Sequence, residues 1–198
     1  MSKNIELKKI LRDYNYLYES LNDVKEISEI AEVEFREAMI ASGDTEAMQA
    51  LIPKNNEDIE IKEIAEVEKD IINHNDQDFK KLFRKIVIKC HPDKIDNAST
   101  EQEALMLKES YNTAVEANDK YDWGLLLRVA SSLSIDCDFI SSEQIEAIKK
   151  RNQELKEEIE RYEGSMAYRW YSQTEEEARN NFLAFCLGVF RDSVKNRL

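Results

Sequence analysis

Between Phe79 and Lys94 the chain sets six basic residues, Lys80, Lys81, Arg84, Lys85, Lys89 and Lys94, against one acid, Asp93. His91, Pro92 and Asp93 stand together in that stretch, so an imidazole and a carboxylate flank a proline. These residue types could ligate a metal, form a Cys–His nucleophile pair with Cys90, or make directed hydrogen bonds to a partner. Metal binding fares poorly, because the adjacent Cys90 and His91 can seldom converge on one ion and no C-x-x-C or H-x-x-x-H partner is present. The nucleophile pair fares no better, since neighbours along a helix do not face each other. Recognition remains, with an idle surface histidine and a merely solvated basic face as the bland alternatives.

The elements that must position these groups follow from spacing. Leu82, Phe83, Ile86 and Cys90 share one helical face, extended by Phe79, while Lys81, Arg84, Lys85 and Lys89 cover the outside. Asp76 or Asp78 is suited to cap this helix, which is expected over 77–90. It ends at once, because Pro92 disfavours helical conformation at His91. A loop is expected over 91–98. Ser99 or Thr100 is suited to cap a further helix to about 119, and Thr100 with Glu103 fits a capping box. A shorter helix over 123–133 carries Leu125, Leu126, Val129 and Leu133.

On either side lie longer patterns. Ile10, Tyr14, Leu17, Leu21, Val24, Ser28, Ala31, Phe35 and Ala38 alternate spacings of four and three, the seam of a coiled-coil-like helix over about 4–41. Ile27, Ile30 and Val33 widen its stripe, which predicts burial on more than one side. Gly43 is suited to end that helix. A short helical piece over 45–52 stops at Pro53, 54–58 reads as a linker, and Ile59, Ile61, Ile64, Val67, Ile71 and Ile72 suggest a helix to about 73. The segment 73–76 is turn-like, and His74 reads as a loop residue. Ser141 or Ser142 opens a second seam, Ile145, Ile148, Asn152, Leu155, Ile159, Tyr162 and Met166, in which the single Asn is of the kind that sets register. Thr174 with the acids at 175–177 starts a last helix bearing Phe182, Phe185, Cys186, Val189, Phe190 and Val194. The phenylalanines there read as core, with a sticky partner surface as the alternative. The two seams suit packing within the chain or a homo-oligomer.

The stretch 78–94 resembles the second helix and His-Pro-Asp loop of the J-domain family, the DnaJ-type co-chaperones. Phe83 stands where that family usually has Tyr, Arg84 and Lys85 match its basic pair, and Ile86 matches a buried Leu. Beyond the loop, Leu107, Ser110 and Tyr111 stand where the family has an aliphatic residue and Ala-Tyr. Tyr121-Asp122-Trp123-Gly124-Leu125-Leu126 is similar to an extension in some divergent members. The resemblance spans roughly residues 59–121. It departs from the family in having no Tyr-x-x-Leu-Gly before 76, in Cys90 for an aromatic, and in Ala104 for a Phe. These departures bear on the packing of the helical hairpin more than on its contact face.

The resemblance implies a binding mechanism with no cofactor and no metal, in a protein that is not an enzyme. Lys81, Arg84, Lys85, Lys89 and Lys94 would dock on an acidic groove of a DnaK-type heat-shock ATPase. Asp93 would pair with a partner Arg, His91 would hydrogen-bond, and Pro92 would hold both in place. ATP hydrolysis by the partner would be stimulated, while no bond is broken on this chain. The terminal helices would recruit a client or a fixed location. The alternative is a helical structural or assembly protein, for instance from a virus or phage, that retains the hairpin as a scaffold.

Composition agrees with these patterns. With 198 residues, four Gly, two Pro and 35% charged residues, the chain reads as all-α. The expected domains are a long N-terminal helical arm over 1–56, a J-domain-like domain over 57–135 and a C-terminal helical hairpin over 139–198. A net charge of −13 argues against general nucleic-acid binding, which wants a broad basic surface. The densest apolar stretch, Phe182 to Phe190, falls far short of the roughly 20 residues that span a bilayer, so no membrane association is expected. Three widely spaced cysteines, Cys90, Cys137 and Cys186, argue against a disulfide framework. Met1-Ser2-Lys3-Asn4 leads directly into a charged amphipathic pattern, which gives the expectation of no signal peptide and a cytoplasmic location.

Overall fold

The computed structural model describes residues 3–44, 76–137 and 140–195. The helical piece expected over 45–52, the linker at 54–58, the helix expected over 59–73 and His74 lie outside the described residues. The described residues are all-helical, with no strand among them. In chain order the helices are α1 (Lys3–Ala41), α2 (Gln77–Cys90), α3 (Pro92–Ile95), α4 (Glu101–Asp119), α5 (Trp123–Ser132), α6 (Ser142–Glu163), α7 (Met166–Tyr171) and α8 (Glu176–Lys195). The chain divides into two compact units that are not consecutive segments. One gathers α1 up to Glu19 with α2 to α5 and α6 up to Lys156; the other takes the remainder of α1 and α6 with α7 and α8.

In the first unit α5 is the centre. Trp123, Leu125, Leu126, Leu127, Val129 and Ala130 are all buried, the pattern of a helix covered on every side. α2 packs on α5 and α4 through Phe79, Leu82, Ile86 and Cys90, spaced three, four and four. α4 meets them with Leu107, Ser110, Ala114 and Ala117, whose mostly small side chains let helices approach closely. Gly124 is required by α1: a Cβ there would collide with the ring of Tyr14. α6 adds Ile145, Ile148 and Leu155 to the core. Its buried Asn152 donates Nδ2–H to the Ile10 carbonyl at 3.2 Å. The bond ties α6 to the α1 backbone inside the core of the first unit.

The joint between α4 and α5 carries most of the polar cross-links. The Tyr121 amide donates to the Asn118 carbonyl at 3.3 Å and the Asp122 amide to the Ala117 carbonyl at 2.8 Å, which closes a Schellman motif at the end of α4. Glycine is usual at the left-handed position of that motif, yet Tyr121 occupies it at φ 51°. What holds it there is its side chain. The ring packs on Phe79 at 4.6 Å between centroids, and the hydroxyl donates to Asp76 Oδ2 at 2.9 Å. Burial, together with donation to Asp76, pushes the Tyr121 hydroxyl up to about 12. Burial opposes the charge of Asp76, but the Phe79 amide, the Tyr121 hydroxyl and the Asp78 amide bring its carboxyl below the usual range. Next in the chain, Asp122 is itself buried. Its Oδ1 accepts from the Leu125 amide at 3.0 Å, capping α5. Its Oδ2 accepts from the Tyr14 hydroxyl at 2.8 Å and from Arg151 Nε at 3.2 Å.

The second unit has its own core, with Ala31, Phe35 and Met39 of α1 against Ala167 and Trp170 of α7 and Cys186 and Leu187 of α8. Phe35 and Trp170 rings lie 5.6 Å apart. Arg179 stacks over Trp170 at 5.0 Å and donates to the Tyr171 and Gln173 carbonyls at 3.0 and 3.1 Å.

Three expectations are corrected here. Ile30 and Val33 are 43% and 57% exposed and do not widen the α1 stripe, whereas Ile27 is half-buried beside it. Met166 is not in the α6 seam, because α6 stops at Glu163 and Ser165 caps a new helix by accepting from the Tyr168 amide at 3.2 Å. Phe185 does not belong to the core. α8 is turned so that Cys186 and Leu187 are buried, which leaves Phe185 61% and Val189 38% exposed.

Replacing Tyr121 by Phe removes the bond to Asp76 and should cost about 1 kcal/mol at neutral pH. Because the folded-state value of Tyr121 is raised to about 12 from an ordinary 10.0, its contribution is complete below pH 10 and is lost as pH rises through 12. Urea unfolding followed across that window should show a shallower alkaline fall for Tyr121→Phe than for the parent.

Candidate partner-binding site

The site grows out of the cap of α2. Asp76 Oδ1 accepts from the amides of Asp78 and Phe79 at 2.9 and 3.2 Å, which fixes the start of the helix and so the phase of its faces. With Phe79, Leu82, Ile86 and Cys90 turned inward, Lys80, Lys81, Arg84, Lys85 and Lys89 are left exposed. The basic residues read from the sequence therefore do share the outer side. Their engagements differ. Lys81 lies 3.4 Å from Asp78 within the same helix. Lys89 is committed elsewhere, donating from Nζ to the Leu133 carbonyl at 2.8 Å, so its charge is pinned beside the end of α5.

α2 ends at Cys90, whose buried thiol donates to the Ile86 carbonyl at 3.2 Å. Burial pushes that thiol up, the reverse of what a thiolate nucleophile needs. His91 then takes extended backbone angles, φ −56° and ψ 145°, as a residue before proline must. The expected loop over 91–98 is corrected in part: Pro92–Ile95 form one helical turn, α3. Proline at a first helical position has its φ already set and no amide to leave unpaired, so Pro92 both stops one helix and starts the next. The turn is closed by the Lys94 amide donating to the His91 carbonyl at 2.7 Å and the Asp96 amide to the Pro92 carbonyl at 3.0 Å. Asn97 Nδ2 donates to the Asp93 carbonyl at 2.6 Å.

On this frame the His91 side chain is 50% exposed and that of Asp93 86%. The Asp93 amide donates to His91 Nδ1 at 3.4 Å when the ring is neutral there. The Asp93 carboxylate also stands 3.4 Å from Nδ1 and would pair with a protonated ring. Both contacts are long and open to water, so they orient the two groups without consuming them. His91, Pro92, Asp93 and Lys94 are thus brought together on one exposed turn. The capping box beyond it is shifted by a residue. Thr100 Oγ1 accepts from the Glu103 amide at 3.1 Å, while Glu103 accepts from the Ser99 amide at 2.8 Å.

One feature of this face escaped the residue patterns. Ile88, 69% exposed, stands among the cations, one turn beyond Arg84. It borders a cavity of about 390 Å³ lined by Lys85, Ile88, Lys89, Ser134, Ile135 and Asp136. A helical projection of 77–90 places Ile88 on the outer side, but the residues at 134–136 share no local pattern with it.

Among the described residues no group of three or more His, Cys, Asp or Glu is placed to hold a metal ion, and no helix is long and apolar enough to cross a membrane. Compared with protein-family models, with curated proteins and with solved structures, the chain matches none.

An exposed turn of this kind carries little of the fold's stability. His91→Gln and Asp93→Asn should each melt within about 2 °C of the parent, because the 3.4 Å contact of the His91 ring with the Asp93 amide caps only a single exposed turn. A thermal melt read by circular dichroism checks this, and a drop of many degrees would make the turn a structural corner.

Proposed function

We propose that this chain is a J-domain-type co-chaperone that stimulates ATP hydrolysis by a DnaK-type heat-shock ATPase. The observation that carries the reading is the exposure of His91 and Asp93 on a proline-started turn, at the end of a helix whose outer side is cationic in an acidic chain. The resemblance of residues 78–94 to the family's second helix and loop supports the same reading.

The physical sequence is one of encounter and then selection. Lys81, Arg84 and Lys85 attract an acidic surface and set the approach, a contribution that acts mainly on association rate and orientation. The turn then supplies the directed contacts. Asp93 pairs with a guanidinium, His91 hydrogen-bonds, Pro92 limits how far either can swing, and Lys94 adds a charge beside them. If those contacts are stronger in the partner's hydrolysing conformation, binding shifts its population toward that state. The chain needs no cofactor and is not itself an enzyme. The remaining helices recruit a client or fix a location, and the exposed Phe185 and Val189 on α8 are an apolar surface suited to that role. This reading puts the protein in the cytoplasm with its ATPase.

Steady-state ATP hydrolysis by a DnaK-type chaperone should rise on adding the chain, and His91→Gln should remove that rise while helical content stays unchanged. The half-maximal concentration should grow about tenfold or more when salt goes from about 50 to about 300 mM, because the docking charges are screened. Equal hydrolysis with parent and His91→Gln protein would leave the scaffold alternative in its place.

A further inference from the structure

The basic face is not only charged. Ile88 is an aliphatic side chain left largely in water between Lys85 and Lys89. Across from it, the chain leaving α5 makes a tight stop. The Ser134 amide donates to the Ser131 carbonyl at 3.1 Å and the Ile135 amide to the Ala130 carbonyl at 2.8 Å, a second Schellman motif. Its left-handed position is held by Ser134 at φ 53°, where glycine would be the relaxed choice. The two walls are tied by Lys89 Nζ on the Leu133 carbonyl at 2.8 Å. The cavity between them, about 390 Å³, is therefore preformed. Ile88, Ile135 and the methylene stems of Lys85 and Lys89 make its lining apolar. The basic side of α2 around it carries four cations, Lys81, Arg84, Lys85 and Lys89, against the acids Asp78 and Asp136. Lys85 and Asp136 are both engaged, Lys81 lies beside Asp78, and Lys89 is on the Leu133 carbonyl.

We propose that this groove receives one aliphatic side chain carried on an acidic stretch of polypeptide from the ATPase partner. The inference rests on the co-chaperone reading and adds a second anchor, set apart from the His91–Asp93 turn. Charge complementarity selects the occupant. A neutral apolar segment would gain nothing from the rim, and a basic one would be repelled by it. The aliphatic side chain would cover Ile88 and Ile135, while its acidic neighbours face Lys81, Arg84 and Lys85. Such an anchor strengthens binding without selecting a conformation of the partner, so it acts on affinity and leaves the plateau of stimulation to the turn.

The test titrates the full chain against a DnaK-type ATPase and reads half-maximal concentration and plateau separately. Ile88→Ala should raise the half-maximal concentration about tenfold, the loss expected when one buried aliphatic contact is truncated, with the plateau retained. Ile88→Leu should restore most of the affinity, and Ile5→Ala, which removes an exposed aliphatic residue on α1, should change nothing. An unchanged half-maximal concentration for Ile88→Ala, with His91→Gln still inactive, overturns the groove and spares the co-chaperone reading. Absence of stimulation by the parent overturns both. Self-association of the parent that Ile88→Ala abolishes, seen by sedimentation, gives the groove to a second copy and also overturns the proposal.

Discussion

Asp122 is a buried carboxylate that three parts of the chain share, and the packing of the first unit turns on it. Its two oxygens accept from the α5 amide of Leu125, the Tyr14 hydroxyl of α1 and the Arg151 guanidinium of α6. A buried charge left alone would cost several kcal/mol, but one met by three donors can hold three helices to one geometry. The preceding residue, Tyr121, sits in a left-handed conformation that ordinarily costs a non-glycine residue on the order of 1 kcal/mol. That strain is tolerated because the ring lies on Phe79 and the hydroxyl reaches Asp76. The joint between α4 and α5 thus fastens the start of α2, and from there the helix runs roughly 20 Å to Cys90. A turn at the far end of a fastened helix is held in position without being buried.

The molecule separates buried, cross-linking polar groups from exposed ones. Tyr14 and Tyr121 are pushed well up and Asp76 is held below the usual range, all in buried or half-buried cross-links, where burial and close partners account for them. Shifts of this origin are a consequence of packing and need no chemistry to explain them. The groups on the outer side of α2 and on α3 are exposed, and their importance lies in arrangement. Cations on one side of α2 lead to a turn that offers an imidazole and a carboxylate. In a chain of net charge −13, such a patch is a local reversal of sign.

Much of this arrangement is readable from local chemistry. The helix expected over 77–90 starts and stops at those residues because an aspartate cap precedes it and a proline follows it. The nine positions of the α1 seam are buried, save Ala38, which is half-buried. What the patterns could not supply is which element covers which. Ile30 and Val33 look as apolar as their neighbours, but among the described residues both stay exposed. Phe185 precedes the buried Cys186 by one residue, and a rotation of about 100° per residue decides between core and solvent. The seam of α6 continues on paper to Met166, whereas Gly164 and Ser165 end the helix first. Tyr121 and Ser134 in left-handed conformations carry no local signature, since both depend on contacts made after the helices meet. The long-range bonds of Lys89 to Leu133 and of Arg151 to Asp122 are likewise invisible in spacing.

If the chain acts on a DnaK-type ATPase as proposed, that partner touches the turn at 91–94 and the outer side of α2. The most direct measurement is a titration of the isotopically labelled chain with the ATP-bound form of a DnaK-type ATPase, followed by backbone amide resonances. Signals of His91, Asp93 and Lys94 should shift or broaden first, together with those of Lys81, Arg84, Lys85 and Ile88, while those of α8 stay in place. Binding that leaves residues 91–94 unmoved would contradict the co-chaperone reading.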